Sequence, residues 1–279
     1  MRAPHIVAAL FAVAIGHVMA APTTGFAQTP DVINGTLQTH AVTRGLSREA
    51  STLMTTVAQP AWLGYAVKTR PRDSEDGCWS DGINRRRSRA AVKLEGSDEL
   101  YVLYRLDEKR VDRIRIASSE CQLDAGGLAV HWLTGVSAAE SIDYLATFAD
   151  GKSVRHLANQ AIVAIALHGD PASVDRLITL ARSGQDSRVR ADALFWIGQR
   201  AGDRAVGTIT DALDNDPDTE VKKRAVFALS QLPKDEGIPK LIDVARKNRN
   251  PEVRRQAMFW LGQSNDPRAL TFFEEVLRR

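Results

Sequence analysis

The chain has 279 residues, 44% apolar and 25% charged, close to the average for a soluble globular protein and enough to bury one or two cores. Its 37 basic and 34 acidic side chains leave a formal charge of +3. The balance holds in each half, with 15 basic against 14 acidic over 28–135 and 21 against 20 over 136–279, which excludes the one-sided basic surface of a nucleic-acid binder.

At the N-terminus Arg2 precedes an apolar run, Ile6–Ile15, and small residues follow. This is the order of a secretory signal peptide, with cleavage expected after Ala20 or Ala27. The run is shorter than the roughly 20 residues of a membrane span, although an uncleaved anchor is the alternative. The expectation is an exported, periplasmic or secreted protein with no stable membrane span after cleavage, and residues 1–27 as leader and flexible start. Export bears on the two cysteines, Cys78 and Cys121. In an oxidising compartment an isolated pair points to a disulfide, and the alternative is two buried thiols.

Residues 29–60 are polar and Thr-rich, and read as irregular apart from a helix over Leu46–Val57 ended by Pro60. Strand-like runs follow at Trp62–Val67, Ala90–Leu94, Leu100–Leu106 and Val111–Ala117, with Asp107-Glu108-Lys109 as a turn. In the last run Val111, Ile114 and Ile116 nearly alternate with charged residues. Arg70–Arg89 reads as a loop held by Cys78. A small β-containing region is therefore expected over 28–135.

From Ser137 the spacing becomes helical and a repeat appears. VRADALFWIGQ from Val189, VKKRAVFALSQ from Val221 and VRRQAMFWLGQ from Val253 align without gaps at 32-residue spacing, with a degenerate copy from Leu157. Ile142, Val174, Val206, Ile238 and Leu270 keep the same interval, as do Leu145, Leu177, Ile209, Leu241 and Phe273. Each unit holds two helices, the second opened by Asp186, Asp218 or Asn250 as N-cap. Val189, Ala193, Trp196 and Ile197, and their equivalents around Trp260, fall on one core-facing arc. The expected class is α+β: a β-containing N-terminal region, then an all-α array of four helix pairs and a last single helix over 136–279.

D-x-x-V-[RK]-x-x-A followed by an apolar pair resembles the HEAT-repeat family, in the short form common in bacteria. CQLDAGGLAVHWL is similar to a stretch of exported bacterial proteins of that kind. The resemblance implies a curved solenoid whose second helices line the concave side, and a role in protein–protein binding. It also implies an Asp–Arg ladder carried by Asp186 and Arg190, Asp218 and Lys222, Asn250 and Arg254. Lys222 lacks the guanidinium fork and Asn250 lacks charge.

The candidate partner-binding surface lies opposite the core arc. It consists of the column Phe195, Phe227 and Phe259 with Lys223, Arg224, Arg255, Gln256, Gln199, Gln231 and Gln263, flanked by Arg188 and Asp192. Aromatics beside Arg and Gln suit an extended peptide or a partner helix; the competing reading buries each Phe between repeats. No nucleophile, phosphate-loop or zinc motif is present, and neither a cofactor nor a metal is expected. Asp73, Glu75, Asp76 and Asp81 lack the order of a Ca²⁺ loop, and Arg85–Arg87 with Arg89 reads as a solvated strand edge. The expected function is a non-catalytic scaffold in the cell envelope that binds another protein or peptide. Two alternatives stand beside it: a tetrapyrrole-processing HEAT-like protein, or an enzyme with a site in 60–135 around His131, Asp124 and Glu120.

Overall fold

The computed structural model describes residues 29–70, 98–149, 154–200 and 202–278. The expected Ala90–Leu94 strand, the loop with Cys78, the Arg85–Arg89 run and the leader lie outside them.

A five-stranded sheet comes first. Its strands are β2 (Thr36–Ala41), β3 (Ala61–Lys68), β4 (Glu99–Asp107), β5 (Arg110–Ser118) and β7 (Ala129–Thr134), in the order β2-β7-β3-β4-β5. The short β1 (Val32–Ile33) and β6 (Leu123–Asp124) pair separately. β3, β4 and β5 form an antiparallel meander; β7 runs parallel to both β3 and β2. The helix expected over Leu46–Val57 is α1 (Leu46–Thr56).

Strands β3, β4 and β5 stand where the apolar runs predict them. β4 carries an unbroken apolar run, Leu100–Tyr104, because both its faces are buried there. Leu100, Val102, Tyr104 and Leu106 face the helices, while Tyr101 and Leu103 join Trp132 and Ala66 on the other face. Glu108 and Lys109 turn the β4–β5 hairpin with φ of 48° and 59°, the left-handed pair that two-residue hairpins require. The imperfect alternation in β5 is a bulge. Leu106 pairs with Val111 and Arg105 with Arg113, so Asp112 is the extra residue.

Two strands of the five-stranded sheet lie where the sequence pattern predicts none, as do the short β1 and β6. β2 falls within the stretch read as irregular, and β7 follows Gly126-Gly127. β2 is an edge strand made of TLQTHA, with four of its six residues exposed, so no apolar face marks it. β7 carries His131 amid apolar residues and owes its strand state to partners on both sides, β2 and β3.

Helices follow. The outer row is α2 (Ala138–Ala149), α4 (Ala172–Ser183), α6 (Val206–Asn215), α8 (Lys234–Lys247) and α10 (Pro267–Leu277). The inner row is α3 (Arg155–Leu167), α5 (Ser187–Arg200), α7 (Thr219–Ser230) and α9 (Pro251–Gln263). These are the four pairs and last single helix of the 32-residue pattern. The N-caps act as read: Asp186, Asp218 and Asn250 accept from the backbone N–H of Arg188, Glu220 and Glu252 at 2.8, 2.8 and 2.9 Å. Each inner helix packs on the outer helix before it and on the inner helices beside it. At Gly198 of α5 a Cβ would stand 2.8 Å from the Cα of Ala228 in α7, which shows how closely two repeats approach.

The ladder between repeats differs from the expected pairing. Arg190 grips Asp216 through Nε at 2.6 Å and a terminal nitrogen at 3.0 Å, and also donates to the Gly184 carbonyl. Asp216 lies two residues before the N-cap of the next unit, so the fork spans two repeats. One repeat later Lys222 reaches only the Asp214 carbonyl, and Arg254 reaches the carbonyls of Asn248 and Arg249. Asn248 stands where Asp216 stood, so the charge pair does not recur. The N-caps form a second ladder: Asp218 bonds Ser187, and Asn250 donates to Thr219 Oγ1 at 2.9 Å.

One core runs without a break from Leu46 to Phe272, through the helix-facing side of the sheet and the whole array. The junction is also polar. His156 Nε2 of α3 donates to the Asp112 carbonyl on the bulge, and Gln160 Oε1 accepts from Ile114 N–H, which covers outward backbone groups of the edge strand β5. Thr69 Oγ1, after β3, donates to the Leu167 carbonyl.

Arg190→Ala leaves the shielded Asp216 carboxylate without its fork and is expected to lower the unfolding free energy by about 2 kcal/mol. Lys222→Ala is expected to cost less than about 0.5 kcal/mol. Urea unfolding of the two variants checks the order; equal losses would refute the role assigned to the fork.

Candidate functional site

The inner helices line a groove of about 970 Å³. α3 contributes Arg155, His156 and Asn159. α5 and its cap contribute Asp186, Arg188 and Asp192. α7 and its cap contribute Asp218, Glu220, Lys223, Arg224 and Phe227, and α9 contributes Gln256 and Trp260. Helix spacing places these positions together, because residues three and four apart share a face and the 32-residue register repeats that face in each unit.

Of the proposed residues, Lys223, Arg224, Phe227 and Gln256 meet in the groove. Phe195, Phe259, Arg255, Gln199, Gln231 and Gln263 do not line it. Gln199 Nε2 donates to Gln231 Oε1 at 3.0 Å near the other end of α5 and α7. The phenylalanines form a continuous aromatic ladder in place of a row of separate rings. Phe195 and Phe227 stack at 5.3 Å and 8°, Phe227 meets Trp260 edge-on at 5.0 Å, and Trp260 meets Phe259 at 5.1 Å. Phe195 and Phe227 are half-buried: each ring packs between repeats and keeps an exposed edge. The Arg224 guanidinium lies 5.6 Å from the Phe195 centroid.

Trp196 and Trp260, read as core, are only half-buried, and Trp260 lines the groove. Their register position is filled by Ala228 in the middle repeat, where it is fully buried. Each Trp packs against the core without being enclosed by it, and the Trp260 indole nitrogen is buried. Arg155, His156 and Asn159 were missed because the first copy of the repeat is degenerate. Carrying the register back from Ser187, Arg188 and Ala191 locates all three.

The groove contains four acids, and each is engaged within the chain. Asp186 and Asp218 cap their helices. Asp192 accepts from Asn159 at 3.2 Å, and Glu220 accepts from Lys223 at 2.8 Å. The Ser187 hydroxyl and the Glu220 N–H hold the Asp218 carboxyl below its ordinary range. Arg155 and Arg188 pair with no carboxylate among the described residues, and Arg224 rests on a ring. The lining therefore has no net charge, but its arginines are the groups left with unpaired donors.

The two hollows described do not bring together His131, Asp124 and Glu120 of the proposed alternative. Asp124 accepts from Asn34 Nδ2 and from the Gly126 N–H in a local turn, and His131 Nδ1 bonds His40 Nε2 at 3.1 Å. Neither the groove nor a smaller hollow of about 280 Å³ beside Arg190 is lined by any of the three. Among the described residues, no three His, Cys, Asp or Glu side chains group to hold a metal. Cys121 is buried after β5; its expected partner Cys78 lies outside the described residues.

A Ser–His pair does exist in the core. His168 Nδ1 donates to the Ala164 carbonyl at 2.8 Å, which leaves Nε2 of the neutral ring to accept from Ser141 Oγ at 2.9 Å. Ser141 in turn accepts from Tyr65 at 2.8 Å, and Tyr65 accepts from Tyr104 at 2.7 Å. Burial raises both phenol pKa values and so keeps them protonated. Ser141, Tyr65 and Tyr104 are wholly enclosed and line neither of these two cavities, and the chain of hydroxyls ties the sheet to α2 and α3.

Residues 207–279, from α6 to α10, match a family model described as HEAT repeats. No curated protein matches the chain. The match and the helical array together support a HEAT-repeat domain at the C-terminal end.

Burial lowers the His168 pKa below its ordinary 6.5, outweighing the Ala164 bond and the Asp170 charge, and burial with the nearby His40 lowers that of His131. As pH falls through 6.5 the unfolded chain takes up protons before these folded groups do, so stability is lost on the acid side. Urea midpoints measured from about pH 7.5 to about pH 5.5 are expected to fall, and to fall less steeply in His168→Gln. An unchanged slope in the variant would contradict the neutral-imidazole chain.

Proposed function

We propose that this protein is a non-catalytic binding scaffold whose inner-helix groove receives a peptide or helix of a partner protein that bears carboxylates beside an apolar side chain. HEAT repeats are generally protein-interaction scaffolds, and the C-terminal repeats carry that match. The observation that carries the finer reading is which groups in the groove already have partners. Its acids are satisfied internally, while Arg155, Arg188 and Arg224 face it beside the Phe227 and Trp260 rings. Arginine offers a carboxylate two parallel donors, and aromatic and Arg side chains dominate binding energy at protein interfaces.

Phe227→Ala combined with Arg224→Ala is expected to weaken partner capture by about 30-fold or more, the scale of a hot-spot loss of 2 kcal/mol. Affinity purification beside the native protein, with helicity followed by circular dichroism, provides the test. Recovery of the same proteins by the folded double variant refutes the groove as the site.

The envelope location is proposed on the Arg2, Ile6–Ile15 and small-residue order, and the Cys78–Cys121 disulfide on that location. Intact mass of the protein from its own cell is expected to place the new N-terminus after Ala20 or Ala27, with no thiol open to alkylation before reduction. A retained leader or two alkylated cysteines would defeat these expectations.

A further inference from the structure

The groove crosses the inner row, with lining residues from α3, α5, α7 and α9. Its two ends differ. On the side of α3 and α5 stand Arg155 and Arg188, which pair with no carboxylate among the described residues. On the side of α7 and α9 stand the rings of Phe227 and Trp260, in edge contact at 5.0 Å. The groove's acids and Lys223 already have partners, and Arg224 rests on the Phe195 ring. A ligand that satisfies both ends therefore carries acid at one end and large apolar side chains at the other.

The repeat register gives the span. Two units on, Arg155 corresponds to Thr219, eight positions before Phe227, and Arg188 corresponds to Glu252, eight positions before Trp260. Eight positions advance about 12 Å along a helix, and two steps between packed helices cover about 16–20 Å across it. Each arginine thus stands about 20–23 Å from its ring, which an extended chain bridges in about six or seven residues and a helix in about 14 or 15. Volume favours the extended form. Over the three steps from α3 to α9, a helix about 10 Å wide fills about 2,100 Å³, and an extended chain about 4.8 by 10 Å in section fills about 1,300 Å³. The groove of about 970 Å³ encloses most of the second and less than half of the first.

We infer that the groove receives an extended segment of about ten residues laid obliquely over the inner helices, with acidic side chains over Arg155 and Arg188 and large apolar side chains over Phe227 and Trp260, about six or seven positions away. It rests on the groove's being the binding site, as proposed above, and adds the form and polarity of what binds there. The arginine forks meet the carboxylates, the rings bury the apolar side chains, and stacked repeats supply the long surface that such a segment needs.

Selection of a random twelve-residue peptide library on the purified full chain provides the test. Enriched peptides are expected to place Asp or Glu about six or seven positions from Phe, Trp, Tyr or Leu. Fluorescence anisotropy of the labelled consensus peptide is expected to show a loss of affinity of about tenfold or more in R155E/R188E, with circular dichroism retained because both side chains are exposed. Lysines in place of the peptide's acids should restore binding to that variant and abolish it for the native chain. Bringing acid and apolar residues to the spacing of one helical face should weaken binding to the native chain by about tenfold or more. No enrichment over R155E/R188E, enrichment at helical spacing, or no rescue by the lysine peptide would each overturn the inference. Partner capture that still depends on Phe227 and Arg224 would then keep the groove as the binding site and remove only the extended, polar form of its ligand. Loss of that dependence as well would remove both.

Discussion

Each outer helix carries an apolar stripe that its own hairpin must cover, and each hairpin must then lean on the next. A single helix pair has no closed core, so stability accrues only as pairs stack. The 32-residue register repeats the stripe through Ile142, Val174, Val206, Ile238 and Leu270, and the core it builds joins the sheet to α10. Everything else is arranged around the two ends of that stack. At the first end β5 lies under α3, with the bulge at Asp112 turning a carbonyl to His156. At the last end no inner helix among the described residues lies over the stripe of α10.

The sheet completes the array in the way a terminal repeat would. It supplies Leu63, Tyr65, Val67 and Tyr104 to the core beneath α2 and α3, and buries the hydroxyl chain that ends on His168. The pairing that suggests chemistry on paper, a serine beside a histidine, becomes structural once it is enclosed. Ser141 is wholly buried, and the proton positions are dictated by the Ala164 carbonyl at one end.

The groove follows from the same stacking. Inner helices side by side present the residues opposite the core as parallel rows, and the aromatic ladder from Phe195 to Phe259 bridges the rows at ring-contact distance. Its electrostatics depend on local pairing more than on composition. Four cations and four anions line it, a neutral count, yet capping and short contacts occupy the anions and leave the arginines available.

The sequence by itself determined the array: the strict spacing of Val189, Val221 and Val253, the caps before them, the four pairs and the final lone helix. It also determined the strand runs that form β3, β4 and β5 and the turn between the last two, though neither the pairing of β3 with β4 nor the bulge at Asp112. Helix periodicity and strand runs are local signals, legible wherever neighbouring residues carry the pattern. Tertiary structure decided the rest. β2 and β7 become strands because parallel partners from distant segments bond them, and nothing in TLQTHA announces those partners. Trp196 and Trp260 pack against the core without being enclosed, at the register position where Ala228 is fully buried. Arg190 finds Asp216 and not the cap, since the fork spans the distance that stacking sets between units. Which of the proposed side chains share one groove, and which stand apart as Gln199 and Gln231 do, depends on how far along each helix its neighbour crosses, a distance that a single helix does not encode.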